Sequence, residues 1–147
     1  MEKTFHMLLY RAFHAERNCL RPSLNQIGLE VGQPKLLGYL SANGPCRQNQ
    51  LADYFEIDSA AVSRMVDALE KNGFVTRRPD EHSRRCNWVE LTGSGRQAYE
   101  SWRARCREVE AVMLRDFSPA EREQFAGFLA RAYQNLRGEQ GGDTCGN

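Results

Sequence analysis

Between residues 71 and 85 the chain places Lys71, Arg77, Arg78, Arg84 and Arg85 against Asp80 and Glu81, a local excess of three positive charges. Guanidinium groups at that density neutralise phosphates and reach base edges, so the chemistry they suit is contact with nucleic acid. The whole chain carries a net charge of only +1, from 20 basic and 19 acidic residues. That balance excludes a protein that coats nucleic acid by bulk charge. Larger blocks are no more basic: residues 1–45 hold 5 basic and 3 acidic groups, 46–92 hold 7 and 8, and 93–147 hold 8 and 8. Contact must therefore come from a small, pointed element.

Other chemistries lack such a cluster. The five cysteines, Cys19, Cys46, Cys86, Cys106 and Cys145, are widely spaced with no C-x-x-C pair, which fits free thiols in a reducing compartment. His6, His14 and His82 are scattered and form no ligand spacing, so no metal site is expected. There is no phosphate loop, no G-x-S-x-G and no Cys-His pairing, and the chain is expected to be neither an enzyme nor a cofactor carrier.

The elements that must carry the basic cluster are legible in the hydrophobic pattern. A chain of 147 residues, 41% of them hydrophobic, is enough for one domain with a real core. No apolar run approaches the roughly 18 residues of a membrane span, and the segment Met1 to His6 lacks the features of a secretory signal. A cytoplasmic protein without membrane contact is expected. Phe5, Leu8, Leu9, Ala12 and Phe13 make an apolar stripe on a first helix from Phe5 to Cys19, which Arg21-Pro22-Ser23 should end. A second helix opens at Gln33-Pro34, carries Leu36, Leu37 and Leu40, and stops at Asn43-Gly44-Pro45.

Next come two short helices joined by a tight turn. Gln48 to Phe55 buries Leu51, Ala52 and Phe55; Ser59 to Asn72 buries Val62, Met65, Val66 and Leu69. Asp58 suits the N-cap of the second and Gly73 its left-handed stop. This is a helix-turn-helix whose second helix turns Ser59, Ala60, Ala61, Ser63, Arg64 and Asp67 away from the core. Phe74 to Arg78 and Cys86 to Leu91 read as strands joined by Pro79 to Arg85, with Arg84 at the tip. A helix-turn-helix followed by a hairpin is a winged helix.

Thr92 suits a cap for the helix that follows, and Tyr99, Trp102, Cys106, Val109, Met113 and Phe117 fall three or four apart over about 27 Å, a helix-packing seam. Ser118-Pro119-Ala120-Glu121 is a capping box with proline at the first helical position. Phe125, Phe128, Leu129, Ala132 and Leu136 line the last helix, and a polar, glycine-rich flexible tail begins at Gly138. The expected fold is mainly α with a small β-hairpin wing. Its segments are an N-terminal helix and linker (1–32), a winged helix-turn-helix (33–92), C-terminal helices (93–137) and a tail (138–147).

The order of elements, with Gly28-Leu29, Gln33, Leu36-Leu37, Gln50-Leu51-Ala52, the run Val62 to Val75, Arg77-Arg78-Pro79-Asp80, Arg84-Arg85 and Val89 to Thr92, resembles the MarR family of winged-helix transcription regulators over nearly the whole chain. There are departures. Ser83 stands where the family usually has an aspartate before the wing arginine, leaving Asp80 or Glu81 to orient the loop. Arg47 replaces the usual Thr or Ser cap, and Ala60-Ala61 replaces a Ser-Thr pair.

The resemblance implies a DNA-binding regulator, more readily a repressor than an activator because occupying a promoter needs no further contact. The DNA-facing set comprises Gln48 and Asn49 at the start of the first reading helix, then Ser59, Ala60, Ala61, Ser63 and Arg64 in the major groove. Arg84 is expected in the minor groove, with Arg77, Arg78 and Arg85 near phosphates. It also implies a homodimer, with Phe5, Leu8 and Leu9 of the first helix and Phe125, Phe128, Leu129 and Leu136 of the last in the dimerisation layer. Such a dimer reads an inverted repeat with half-sites about 34 Å apart. A small aromatic or phenolic effector is implied beside the winged helix, with Phe13, Arg17, Tyr39 and Trp102 as the residues in position. Two other readings remain open at this point: a winged-helix protein-interaction module without DNA affinity, and a thiol-based redox sensor using Cys19, which sits in sequence between Arg17 and Arg21.

Overall fold

Six helices and a three-stranded antiparallel sheet follow from these patterns in a computed structural model, which describes residues 4–142 apart from the side chains of 84–86 and 140–142. The elements are α1 (Phe5–Ile27), α2 (Gln33–Asn43), β1 (Cys46–Arg47), α3 (Gln48–Phe55), α4 (Ser59–Lys71), β2 (Val75–Asp80), β3 (Ser83–Leu91), α5 (Gly93–Met113) and α6 (Pro119–Gly142). The chain divides into two units after Val109, within α5.

The core of the first unit gathers one stripe from each element. Leu36, Leu37 and Leu40 of α2, Leu51 of α3, Val62, Val66 and Leu69 of α4, and Val75 and Val89 of the sheet are all but inaccessible to solvent. At about 25 cal/mol per Å² of apolar surface removed from water, each side chain of this size contributes roughly 1.5–3 kcal/mol. This packing holds α3, α4 and the hairpin together.

Three expectations change. First, α1 does not end at Pro22; it runs through it to Ile27. An interior proline costs a helix about 3 kcal/mol, but Leu20, Ser23 and Leu24 beside it are buried, and Gly28 closes the helix in the left-handed region (φ 90°) with its N–H on the Leu24 carbonyl. Tertiary burial outweighs local propensity here.

Second, the hairpin is longer than its β-formers suggest. Its strands pair from Val75 with Leu91 to Asp80 with Ser83, leaving Glu81 and His82 as the turn, and Phe74 precedes the strand. Pro79 is tolerated because β2 is an edge strand of the order β1-β3-β2, where a missing N–H breaks no inner ladder. β1 is also unanticipated: Cys46 and Arg47 pair with Val89 and Trp88.

Third, α5 stops at Met113, so Phe117 lies beyond it, past Asp116 at φ 65°. The capping box then starts α6 as expected, Ser118 N–H donating to Glu121 Oε2 (2.8 Å) and Glu121 N–H to Ser118 Oγ (3.1 Å). α6 continues past Gly138 to Gly142, because an isolated glycine costs only about 1 kcal/mol in a helix. The rest of the expected tail, 143–147, lies outside the described residues.

One glycine is dictated by close approach. A Cβ on Gly95 would lie 2.0 Å from the Phe74 carbonyl oxygen, where α5 leaves the sheet. Gly127, within α6, has open space around it. Gly95→Ala is expected to destabilise by about 1–3 kcal/mol through overpacking, and Gly127→Ala to stabilise by roughly 0.5–1 kcal/mol through a stiffer unfolded chain. Urea unfolding of the two variants beside the parent protein measures both signs.

Candidate nucleic-acid interface

α4 is built to present a surface. Asp58 Oδ1 accepts the Ala61 N–H at 2.7 Å and fixes its start, and Gly73 (φ 79°) turns the chain away from its end. Val62, Val66 and Leu69 are buried and Met65 is half-buried, so Ser59, Ala60 and Arg64 face solvent, with Ala61 and Ser63 half-buried on its flanks. Asn49 is exposed on α3. Small side chains here admit close approach of a partner, and Arg64 supplies a long donor.

Arg77 and Gln48 are engaged with one another and with neighbouring side chains. Arg77 shares its sheet face with Val75 and is opposite Val89, so its side chain turns inward and is only 19% exposed. The guanidinium pairs with Asp67 and with Glu70 Oε1 (3.1 Å), and Nη1 donates to Gln48 Oε1 (3.3 Å). Its backbone N–H donates to Glu70 Oε2 (3.1 Å). Gln48 Oε1 also accepts from Asn87 Nδ2 (3.5 Å). Burial alone would lower the Arg77 pKa; the hydrogen bonds to Glu70 and Asp67 outweigh it and hold the charge more firmly than usual. Arg77 thus bridges α4 and the hairpin, and its single positive charge offsets part of the negative charge of Asp67 and Glu70.

The opposite face of the sheet carries a second cluster. Arg47, Trp88 and Arg78 are cross-strand neighbours, and the guanidinium carbons of Arg47 and Arg78 lie 5.2 and 5.4 Å from the Trp88 ring centre. Arg78 is exposed. Arg47 Nε lies 2.7 Å from Asp80 Oδ2, and Asp80 Oδ1 accepts the His82 N–H at 3.0 Å. Of the two acids that the sequence offered for orienting the loop, Asp80 closes the turn. Arg84 is not at the tip, which is Glu81-His82, but just beyond it on β3; the Arg84 and Arg85 side chains lie outside the described residues.

The roles of Asp67, Glu70, Asn87 and Arg47 were not apparent from sequence. Asp67 and Glu70 stand three apart on one helix face, a visible signal, but which arginine they meet depends on the hairpin register.

A family model described as "MarR family" matches residues 29–87. The chain is 31% identical over 103 residues to YwoH of Bacillus subtilis, an uncharacterized HTH-type transcriptional regulator, covering 70% of this chain and 74% of that one. The crystal structure of a probable transcriptional regulator from Pseudomonas aeruginosa aligns with a TM-score of 0.74 at 31% identity, covering 88% of this chain and 97% of its own. The chain belongs to the MarR family. A MepR–DNA complex from S. aureus aligns at 25% identity with a TM-score of 0.80, over 91% of this chain and 99% of that one. This MarR-family chain is a transcriptional regulator with a DNA-binding winged helix.

The MarR-family chain also has a cleft of about 690 Å³ in its first unit. Arg17, Tyr39 and Trp102 line it together; Phe13 does not, being 55% exposed on α1 with the Arg17 guanidinium 5.6 Å from its ring. Lys35, Tyr54, Phe55, Tyr99 and Arg103 complete the aromatic and cationic lining. Cys19 is exposed, whereas Cys46 is buried and its thiol is pushed up to about 11, so it stays protonated at neutral pH. No helix is long and apolar enough to cross a membrane, and no group of metal ligands occurs among the described residues.

Asp80 makes a pH prediction. The His82 N–H holds its carboxyl below the ordinary value; burial opposes this, and the Arg47 charge reinforces it. A depressed carboxylate stabilises the fold above its unfolded value of about 3.9, and that contribution disappears as pH falls through the folded value. The stability advantage of the parent protein over Asp80→Asn is therefore expected to be constant near neutrality and to close below about pH 4, as thermal melts across that range would record.

Proposed function

We propose that this MarR-family regulator binds an inverted-repeat operator as a homodimer, represses transcription by occupying the promoter, and is released by a small aromatic or phenolic effector. The observation that carries the DNA reading is the composition of the α4 surface. Its exposed N-terminal half offers Ser59, Ala60 and Arg64, while the two acids farther along are ion-paired with Arg77, which offsets one of their two charges. In the major groove Arg64 and Ser63 reach base edges or phosphates, and Ala60 and Ala61 meet thymine methyls. Asn49, Arg78, Arg84 and Arg85 serve the backbone and minor groove; Gln48 and Arg77 serve by positioning.

Exposed apolar side chains support the dimer. Phe5 is 92% exposed, and Leu8, Leu9, Phe125, Phe128, Leu129 and Leu136 also lie open. Apolar rows of this kind are covered in a working protein, and a two-fold partner covers each with the same chain. The effector reading rests on the cleft: five aromatic rings from Tyr39, Tyr54, Phe55, Tyr99 and Trp102, with Arg17, Lys35 and Arg103 among them, suit a flat molecule bearing a carboxylate or phenolate.

Fluorescence anisotropy with the duplex upstream of the gene tests this directly. Saturable binding that falls steeply between low and moderate salt is expected. Arg64→Ala should weaken it by roughly 1–3 kcal/mol and relax sequence preference. An aromatic acid should release the native protein but not Tyr39→Ala. No saturable binding at low salt, from this duplex or from a genomic-fragment selection, would leave a protein-interaction module in its place.

A further inference from the structure

We infer that Arg47 is a positioning residue for the wing: through Asp80 it fixes the Glu81-His82 turn to the start of α3, so that wing and reading helix meet DNA as one body. The inference rests on the reading that the wing touches DNA, and it assigns a role to a residue outside the expected DNA-facing set.

Four observations converge on it. The Asp80 side chain is 4% exposed, unusual for a carboxylate directly before a hairpin turn. Its two oxygens have separate tasks: Oδ2 lies 2.7 Å from Arg47 Nε, and Oδ1 accepts the His82 N–H. The pairing register shifts between Pro79 and Asp80, which places the carboxylate at the last pair before the turn. Finally, Arg47 is held on three sides, with its backbone N–H donating to Gln50 Oε1 (2.8 Å), its guanidinium stacked on Trp88, and its strand paired with β3.

A side chain at the N-cap of α3 is thus joined to the wing tip by an ion pair to Asp80 and by the Asp80–His82 hydrogen bond, although Arg47 Nε itself makes no well-aligned hydrogen bond. A Ser or Thr at that position would cap the helix but could not reach the hairpin. The next residue, Gln48, grips the other face of the hairpin through Arg77 and Asn87. Residues 47 and 48 therefore hold the wing from both sides. Fixing the wing before contact removes the ordering cost that a loose arm would bear on binding.

Charge separates this role from a direct phosphate contact, which the 41% exposed Arg47 side chain would also permit. Asp80→Asn makes the wing more positive, so simple electrostatics predicts tighter DNA binding. Positioning predicts the reverse. The expected result is that Asp80→Asn and Arg47→Met each weaken operator binding about tenfold, measured well below their melting temperatures. In either background Arg84→Ala should then cost less than about twofold, although it costs the native protein about tenfold. Arg47→Lys, which keeps the charge but loses the planar fork, should fall between native and Arg47→Met.

A readout without DNA accompanies these. In Trp102→Phe, where Trp88 is the remaining tryptophan, Asp80→Asn should make Trp88 more accessible to acrylamide. Unchanged or tighter binding by Asp80→Asn, or losses from Arg47→Met and Arg84→Ala that multiply, would overturn the positioning role while leaving the DNA reading intact. A native protein that binds no duplex would overturn both. If Arg47→Met does not fold, the Asp80→Asn and Arg47→Lys results decide alone.

Discussion

The reading head depends on one guanidinium. Arg77 joins the hairpin to α4 through Asp67 and Glu70 and to α3 through Gln48, so one side chain bridges at the surface the three elements that the apolar core packs together. Its value for folding is modest, because Asp67 and Glu70 remain 58% and 41% exposed and exposed ion pairs contribute about 0–1 kcal/mol. Its value for binding is greater. Without it, two carboxylates on the reading helix would face a polyanion, and the charge that brings the protein to DNA would be partly cancelled where contact is closest.

This accounts for a composition that first looks unfavourable. The segment 46–92 has 7 basic and 8 acidic residues, yet four of those acids are engaged within the protein. Asp58 caps α4, Asp80 is tied to Arg47 and His82, and Asp67 and Glu70 are tied to Arg77. On the proposed reading, contact with DNA is left to Arg64, Arg78 and the arginines of β3. The cleft lies within the same unit, lined by α1, α2, α3 and α5. A ligand there affects DNA only by favouring one arrangement of those helices over another.

What could be read from sequence was local, and what could not was a matter of pairing. Asp58, Gly73 and the Ser118–Glu121 box mark helix ends through contacts within a few residues, and the buried stripe of α4 follows from its period. The partners of Arg77 and Arg47 depend on which residues of β2 and β3 lie opposite one another, and a one-residue slip in register would turn every side chain to the other face. Pro22 misled for a related reason: its local cost was visible, but the burial of Leu20 and Leu24 that offsets it was not. Among the cleft residues, Arg17, Tyr39 and Trp102 were picked by position, whereas Phe55 was read as part of the buried face of its helix and Tyr54 was not singled out.

The most direct measurement is operator affinity for Arg77→Met, for Asp67→Asn with Glu70→Gln, and for all three changes together. If Arg77 offsets the charge of the α4 acids, Arg77→Met loses at least about tenfold and removing the two carboxylates restores most of it, with a much larger gain than the same pair gives the native protein. If the triple variant binds as weakly as Arg77→Met alone, Arg77 meets phosphate itself, and that bridge is not what the reading head depends on.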